Sequence, residues 1–85
     1  MNIYVGNLNY ATNEDELREI FAEYGEVLSV KVITDRMTGK AKGFAFVEMA
    51  NEDEANTAIQ ELDGAEIKGR NVKVNKANPP RKKFN

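Results

Sequence analysis

The chemistry this chain can offer rests on three aromatic rings and a nearby cation: Tyr4, Phe44, Phe46 and Lys42. A flat π-face stacks on another planar ring, and an ammonium group beside it attracts an anion or a polar ring edge. Lys42, Phe44 and Phe46 stand two residues apart, the spacing of one face of a strand. Other reactive chemistry is scarce. There is no histidine, so the usual general base and the commonest metal ligand are missing. There is no cysteine, which removes disulfides, thiolate zinc sites and thiol catalysis together. Thr38-Gly39-Lys40 lacks the flanking glycine spacing and strand-to-helix setting of a phosphate loop. These residues imply a binding protein with no metal and no cofactor, and not an enzyme.

The elements that must position the rings can be read along the chain. Asn2 to Gly6 is a short run with β-branched and aromatic residues that ends in glycine, and it predicts a strand. Thr12-Asn13-Glu14-Asp15 predicts a helix start, with Thr12 capping the amide of Asp15. Leu17, Ile20, Phe21 and Tyr24 follow as one amphipathic stripe, and Gly25 is expected to close the helix in the left-handed conformation. Val27 to Thr34 predicts a strand with Leu28, Val30 and Val32 on one side and Ser29, Lys31 and Ile33 on the other. Asp35 to Lys40 is polar and turn-forming, a hairpin connection to a third strand over Lys42 to Met49. Asn51 is the expected cap of a second helix, with Glu54 completing a capping box. Ala55, Ala58, Ile59 and Leu62 form its stripe, and Gly64 closes it. Ala65 to Gly69 predicts a turn with a small ribbon, and Asn71 to Lys76 the last strand.

The order β-α-β-β-α-β predicts an α+β fold of the ferredoxin-like, split β-α-β type: one four-stranded antiparallel sheet with both helices on one face. Residues 1–77 make one domain and residues 78–85 a basic, Pro-led tail. The second face of the sheet has no helix left to cover it. Alternation puts Ala45, Val47 and Met49 on the helix side, and Lys42, Phe44, Phe46 and Glu48 on the open side. Ile3 and Val5 face the core, which leaves Tyr4 beside the two phenylalanines. Exposed rings in that number usually mark a binding site. The plainer alternative is that the Phe pair are strand formers covered by a terminus or a partner.

Ile3-Tyr4-Val5-Gly6-Asn7-Leu8 and Lys42-Gly43-Phe44-Ala45-Phe46-Val47-Glu48-Met49 resemble the paired ribonucleoprotein sequences of the RNA recognition motif family. The longer segment departs from the pattern only at Met49, where an aromatic residue is usual, and alternation places that residue in the core. The resemblance covers residues 2–77 and extends to the small single-domain members found in bacteria and to glycine-rich plant relatives. It implies that Tyr4 and Phe44 each stack under a base, that Phe46 lies against the sugars, and that Lys42 meets a phosphate or base edge. Asn7, Lys31, Ile33, Lys73 and Asn75 are further candidates by alternation, and Lys76 and residues 81–83 by adjacency to the last strand. The implied partner is single-stranded RNA, gripped about two to four nucleotides at a time. Post-transcriptional regulation or RNA chaperoning is the expected role. Single-stranded DNA and a peptide are the alternative ligands; peptide-binding variants of the family typically lose the exposed rings, which this chain keeps.

Taken as one number, a net charge of −2 opposes a polyanionic ligand, since affinity for one comes from lysine and arginine contacts. The distribution answers this. Glu14, Asp15, Glu16, Glu19, Glu23, Glu52, Asp53, Glu54 and Glu61 fall on the helices. Lys31, Arg36, Lys40, Lys42, Lys73, Lys76 and the tail cations belong to strands, hairpin and terminus. Moderate, salt-sensitive affinity is expected. No apolar run approaches a membrane span and no secretory signal precedes the first strand, so a cytoplasmic monomer without membrane contact is expected.

Overall fold

In the computed structural model, which describes residues 1–34, 37–39 and 41–77, eight elements follow one another. They are β1 (Asn2–Gly6), α1 (Glu14–Ala22), β2 (Val27–Thr34), β3 (Ala41–Met49), α2 (Glu52–Leu62), β4 (Glu66–Ile67), β5 (Arg70–Asn71) and β6 (Lys73–Ala77). Four strands form a sheet in the order β2-β3-β1-β6, every neighbour antiparallel, and β4 pairs with β5 in a separate ribbon. The expected ferredoxin-like arrangement is the one observed. Asp35, Arg36, Lys40, the side chain of Lys42 and the whole of the tail lie outside the described residues.

The core sits between one sheet face and the helices. Ile3, Val5, Val47, Met49 and Val74 of the sheet are buried to within 1% of completely, as are Val72 just before β6 and Leu17 and Phe21 of α1. Met49 is therefore a core residue, as alternation requires. α2 contributes Ala55, Ala58 and Leu62, the two alanines leaving room for the helix to lie close to the sheet. Truncating Phe21, the largest of the fully buried side chains, would cost about 3–5 kcal/mol.

Local details differ from the sequence expectations at five places, each for a physical reason. Asn13, not Thr12, caps α1: its side chain accepts from the Glu16 amide at 2.9 Å, and Glu16 accepts from the Asn13 amide at 3.0 Å. Thr12 is instead drawn into the turn before the helix, its amide donating to Asn9 and its buried hydroxyl finding no protein partner among the described residues. Gly25 does not take the left-handed conformation, because α1 ends at Glu23 with φ −66°. Its lack of a side chain makes room for Glu54, which would collide with a methyl group there. Only the Asn51 half of the capping box expected at α2 forms, with Asn51 accepting from the Glu54 amide at 2.9 Å, while the Glu54 side chain lies against Gly25.

In β2 a bulge separates Val27, paired with Met49, from Ser29, paired with Glu48. Leu28 is the extra residue, turned out and 51% exposed, so Val27 takes the core-facing place expected of it. The last strand begins at Lys73 because Val72 leaves the ladder: its amide donates to Ala65 and its carbonyl accepts from Gly64.

Candidate functional site

The pleat divides the sheet residues into two sets, and those turned from the helices form rows across the strands. The middle row runs Lys31, Phe46, Tyr4, Asn75, each in register with the next. A second row, toward the start of β1, runs Ser29, Glu48, Asn2, Ala77. At the other end Gly6 pairs with Lys73, while Phe44 precedes Phe46 on β3 by two residues and Ile33 follows Lys31 on β2 by two. The three rings are brought together. Tyr4 lies 5.9 Å from Phe46 and 6.1 Å from Phe44 between centroids, and the two Phe rings stand nearly perpendicular at 6.3 Å. Such spacings let the rings brace one another. Phe46 remains 38% exposed, and Tyr4 and Phe44 are half-buried.

Glycine shapes this surface at two points. A methyl group at Gly6 would come within 2.8 Å of the Tyr4 ring, so the ring rests on space that only glycine leaves. Gly43 has φ +89° at an irregularity where β3 carries more residues than β2 between paired positions. Its carbonyl accepts from the Leu8 amide at 2.8 Å, joining the start of β3 to the loop after β1. That conformation is costly for a residue with a Cβ.

The remaining candidates divide by location. Lys31 and Asn75 flank the ring cluster, Lys73 stands beside Gly6, and Ile33 is half-buried at the far end of β2. Lys76 is in register with core-facing Ile3 and so alternates away from Lys73 and Asn75. It lines a concavity of about 380 Å³ at the sheet's end, together with Asn2, Glu48 and Glu52. Lys76, a candidate by adjacency to the last strand, thus stands on the other side of the pleat from the rings. Asn7, at φ 58°, bonds within the protein: its amide donates to the Asn71 carbonyl at 2.8 Å and its Oδ1 accepts from Arg70 at 2.6 Å. Lys42 precedes the Gly43 irregularity in β3, and its side chain lies outside the described residues.

Arg70 and Asn71 were not among the sequence candidates, and they secure the loop that follows β1. Arg70 also donates to the Asn7 carbonyl, Asn9 donates to the Lys68 carbonyl, and Lys68 pairs with Glu16 at 2.9 Å. The β4–β5 ribbon is in this way strapped across the β1–α1 loop. Lys68 and the Asn13 amide hold the Glu16 carboxyl below the usual carboxylate range. Asn7 and Arg70 are 63 residues apart, so no local pattern could have announced the pair. The one legible trace is Lys68-Gly69, whose φ values of 52° and 83° form the tight turn of the ribbon.

Among the described residues no cluster of acidic side chains could hold a metal ion, and no helix is long and apolar enough to cross a membrane. What the face can do chemically is stack planar rings and hold a few anionic groups beside them. Comparison with known proteins points the same way. A family model described as RNA recognition motif matches residues 3–73. RbpA of Nostoc sp. strain PCC 7120, a protein named for RNA binding, is 57% identical over 79 residues, covering 93% of this chain and 78% of RbpA. The crystal structure of RNA binding protein PG1 superposes with a TM-score of 0.91 at 49% identity, covering 96% of this chain and 99% of PG1. The RRM of Rna15 with bound GU RNA superposes with a TM-score of 0.82 at 26% identity, covering 92% and 83%.

Proposed function

Because this chain belongs to the RNA recognition motif family, and with it is an RNA-binding protein rather than an enzyme, we propose that it grips single-stranded RNA on the open face of its sheet. The observation that carries this reading is the cluster of Tyr4, Phe44 and Phe46, three rings within 6.3 Å of one another on a face that neither described helix covers. Tyr4 and Phe44 stack under successive bases and Phe46 supports the sugar between them. Lys31, Lys73 and Lys42 neutralise phosphates, and Asn75 offers polar contact to a base edge. Each stacked base contributes about 1–3 kcal/mol, tolerant of its identity.

The protein acts as a monomer in the cytoplasm, through residues 1–77, as a post-transcriptional regulator or RNA chaperone. A grip of a few nucleotides suits transient, many-site binding better than recognition of a single long sequence. The test is a titration of labelled protein with short mixed-sequence RNA, repeated with the matching DNA. Shifts should concentrate on Tyr4, Phe44, Phe46 and β6, and RNA should bind more tightly than DNA. The Phe44→Ala, Phe46→Ala double variant should fold and lose RNA binding by about tenfold to a hundredfold, one stacking increment and the sugar contact removed together. Full affinity in that folded variant would defeat the proposed mode.

A further inference from the structure

The open face is not uniform along its strands. At one end stand Lys73 and, through the strapped ribbon, Arg70. The middle row is the rings, flanked by Lys31 and Asn75. The other end carries a carboxylate, Glu48, placed one pleat repeat beyond Phe46 on the same strand and the same face. A carboxylate beside a phosphate-binding surface is unfavourable unless something is gained by it.

Among the described residues no ion pair neutralises it, although Lys76 lines the same concavity. Glu48 is exposed, and its one side-chain bond among the described residues is a long one, 3.4 Å from the Ser29 hydroxyl. Its register neighbours are Asn2 and Ser29, both able to hydrogen-bond. It also forms part of the wall of the 380 Å³ concavity at the end of the sheet. A base stacked on Tyr4, the register partner of Phe46, would therefore extend one edge toward an acceptor-only group with no described ion pair, at the rim of an open recess.

Resting on the RNA reading above, we propose that Glu48 is the residue that selects the base, and that the base is guanine. An ionised carboxylate has two oxygens that accept and no proton to give. Guanine alone among the four bases presents two adjacent donors on its pairing edge, N1–H and the exocyclic N2 amine, which match the two oxygens. Adenine and cytosine offer one amine beside a ring-nitrogen acceptor, which the carboxylate repels. Uracil offers one N–H between two carbonyl oxygens. Glu48 thus converts a sequence-tolerant stacking platform into one with a preference, and it turns phosphates toward the Lys73 end.

The experiment measures affinity for short uridine-flanked RNAs that differ only in the central base: guanine, inosine, adenine, cytosine or uracil. The guanine RNA should bind about tenfold or more tightly than the rest, the scale of a good bidentate base contact. Inosine, which lacks the N2 amine, should lose most of that advantage. Glu48→Gln should bring guanine down to the level of the others and bind the uracil RNA no worse than the native protein does. Phe46→Ala should weaken all of them alike. Equal affinity for guanine and inosine, or a guanine preference that survives Glu48→Gln, overturns the assignment while leaving RNA binding intact. Failure of every RNA, including a mixed-sequence pool, to bind the native protein would instead overturn the RNA reading itself. The inosine comparison uses the unaltered protein, so the test does not depend on the variant folding.

Discussion

A methyl group at Gly6 would meet Tyr4 ring carbons at 2.8 Å, closer than any real Cβ contact. The backbone at Gly6 is ordinary, absent from the positive-φ glycines, so the demand for glycine there comes from the ring alone. Gly6→Ala should leave stability nearly unchanged, because the exposed side of the Tyr4 ring can swing into solvent. It should weaken RNA binding about fivefold to tenfold by removing a stacking surface worth about 1–3 kcal/mol. The check is a double-mutant cycle: in a Tyr4→Ala background, Gly6→Ala should cost nothing further. An additive loss would mean that Gly6 acts through the backbone and not through the ring. Gly43 makes the contrasting case. Its φ of +89° strains any other residue, so Gly43→Ala should destabilise the whole domain by about 1–2 kcal/mol, read as a lowered midpoint of urea unfolding.

At the scale of elements, the β4–β5 ribbon is held to the rest by polar contacts rather than by core packing. Ile67 is its only side chain packed against the core among the described residues, and Ala65 precedes it. The Lys68–Glu16 pair joins the ribbon turn to α1. Because Lys68 and the Asn13 amide lower the Glu16 pKa below 4.5, the charged form is favoured in the folded state. A depressed folded pKa contributes stability above the unfolded pKa and loses it as pH falls through the folded value. The ribbon should therefore loosen first on acidification, below pH 4.5. An NMR titration should find the Glu16 carboxyl titrating below 4.5 in the native chain and closer to 4.5 in Lys68→Met, with ribbon amides exchanging faster in that variant. A Glu16 midpoint indifferent to Lys68 would remove the coupling. The ribbon also shows where the sequence stops being legible. Strands and helices were readable because alternation and the helical stripe recur within a few residues: Ile3, Tyr4 and Val5, or Leu17 and Phe21, reveal their faces locally. The ring face was readable for the same reason. Leu28 was not, since a bulge inverts alternation without any residue that marks it. Thr12 and Asn13 are both good caps, and only burial of the first decides between them. The Arg70–Asn7 bond depends on a contact across 63 residues, which no window of sequence contains.

Across the described residues the two signs of charge are largely sorted by layer, Glu48 on the open face and Lys76 turned from it being exceptions. Glu14, Asp15 and Glu16 fill the first turn of α1, and Glu52, Asp53 and Glu54 that of α2, where the helix dipole favours them. Lys31 and Lys73 lie on the sheet. The molecule is only 19 Å through its shortest axis, so acidic helices and RNA-facing sheet are never far apart. Whether the helices oppose binding depends on salt. At 0.15 M the screening length of about 8 Å is shorter than that thickness, and the ligand meets only the sheet. With two or three phosphates held, log K should then fall with log salt at a slope of about −1.4 to −2.1. At 0.01 M the screening length of about 30 Å exceeds the thickness, and the net charge of −2 reaches the ligand. The gain in affinity on lowering salt should therefore flatten, and the plot should bend rather than run straight. Glu19→Gln with Glu23→Gln, both exposed, should straighten it at low salt and leave the affinity at 0.15 M unchanged. A straight line in the native protein, or an equal effect of the two substitutions at all salt concentrations, would show that the layers do not act as separate fields.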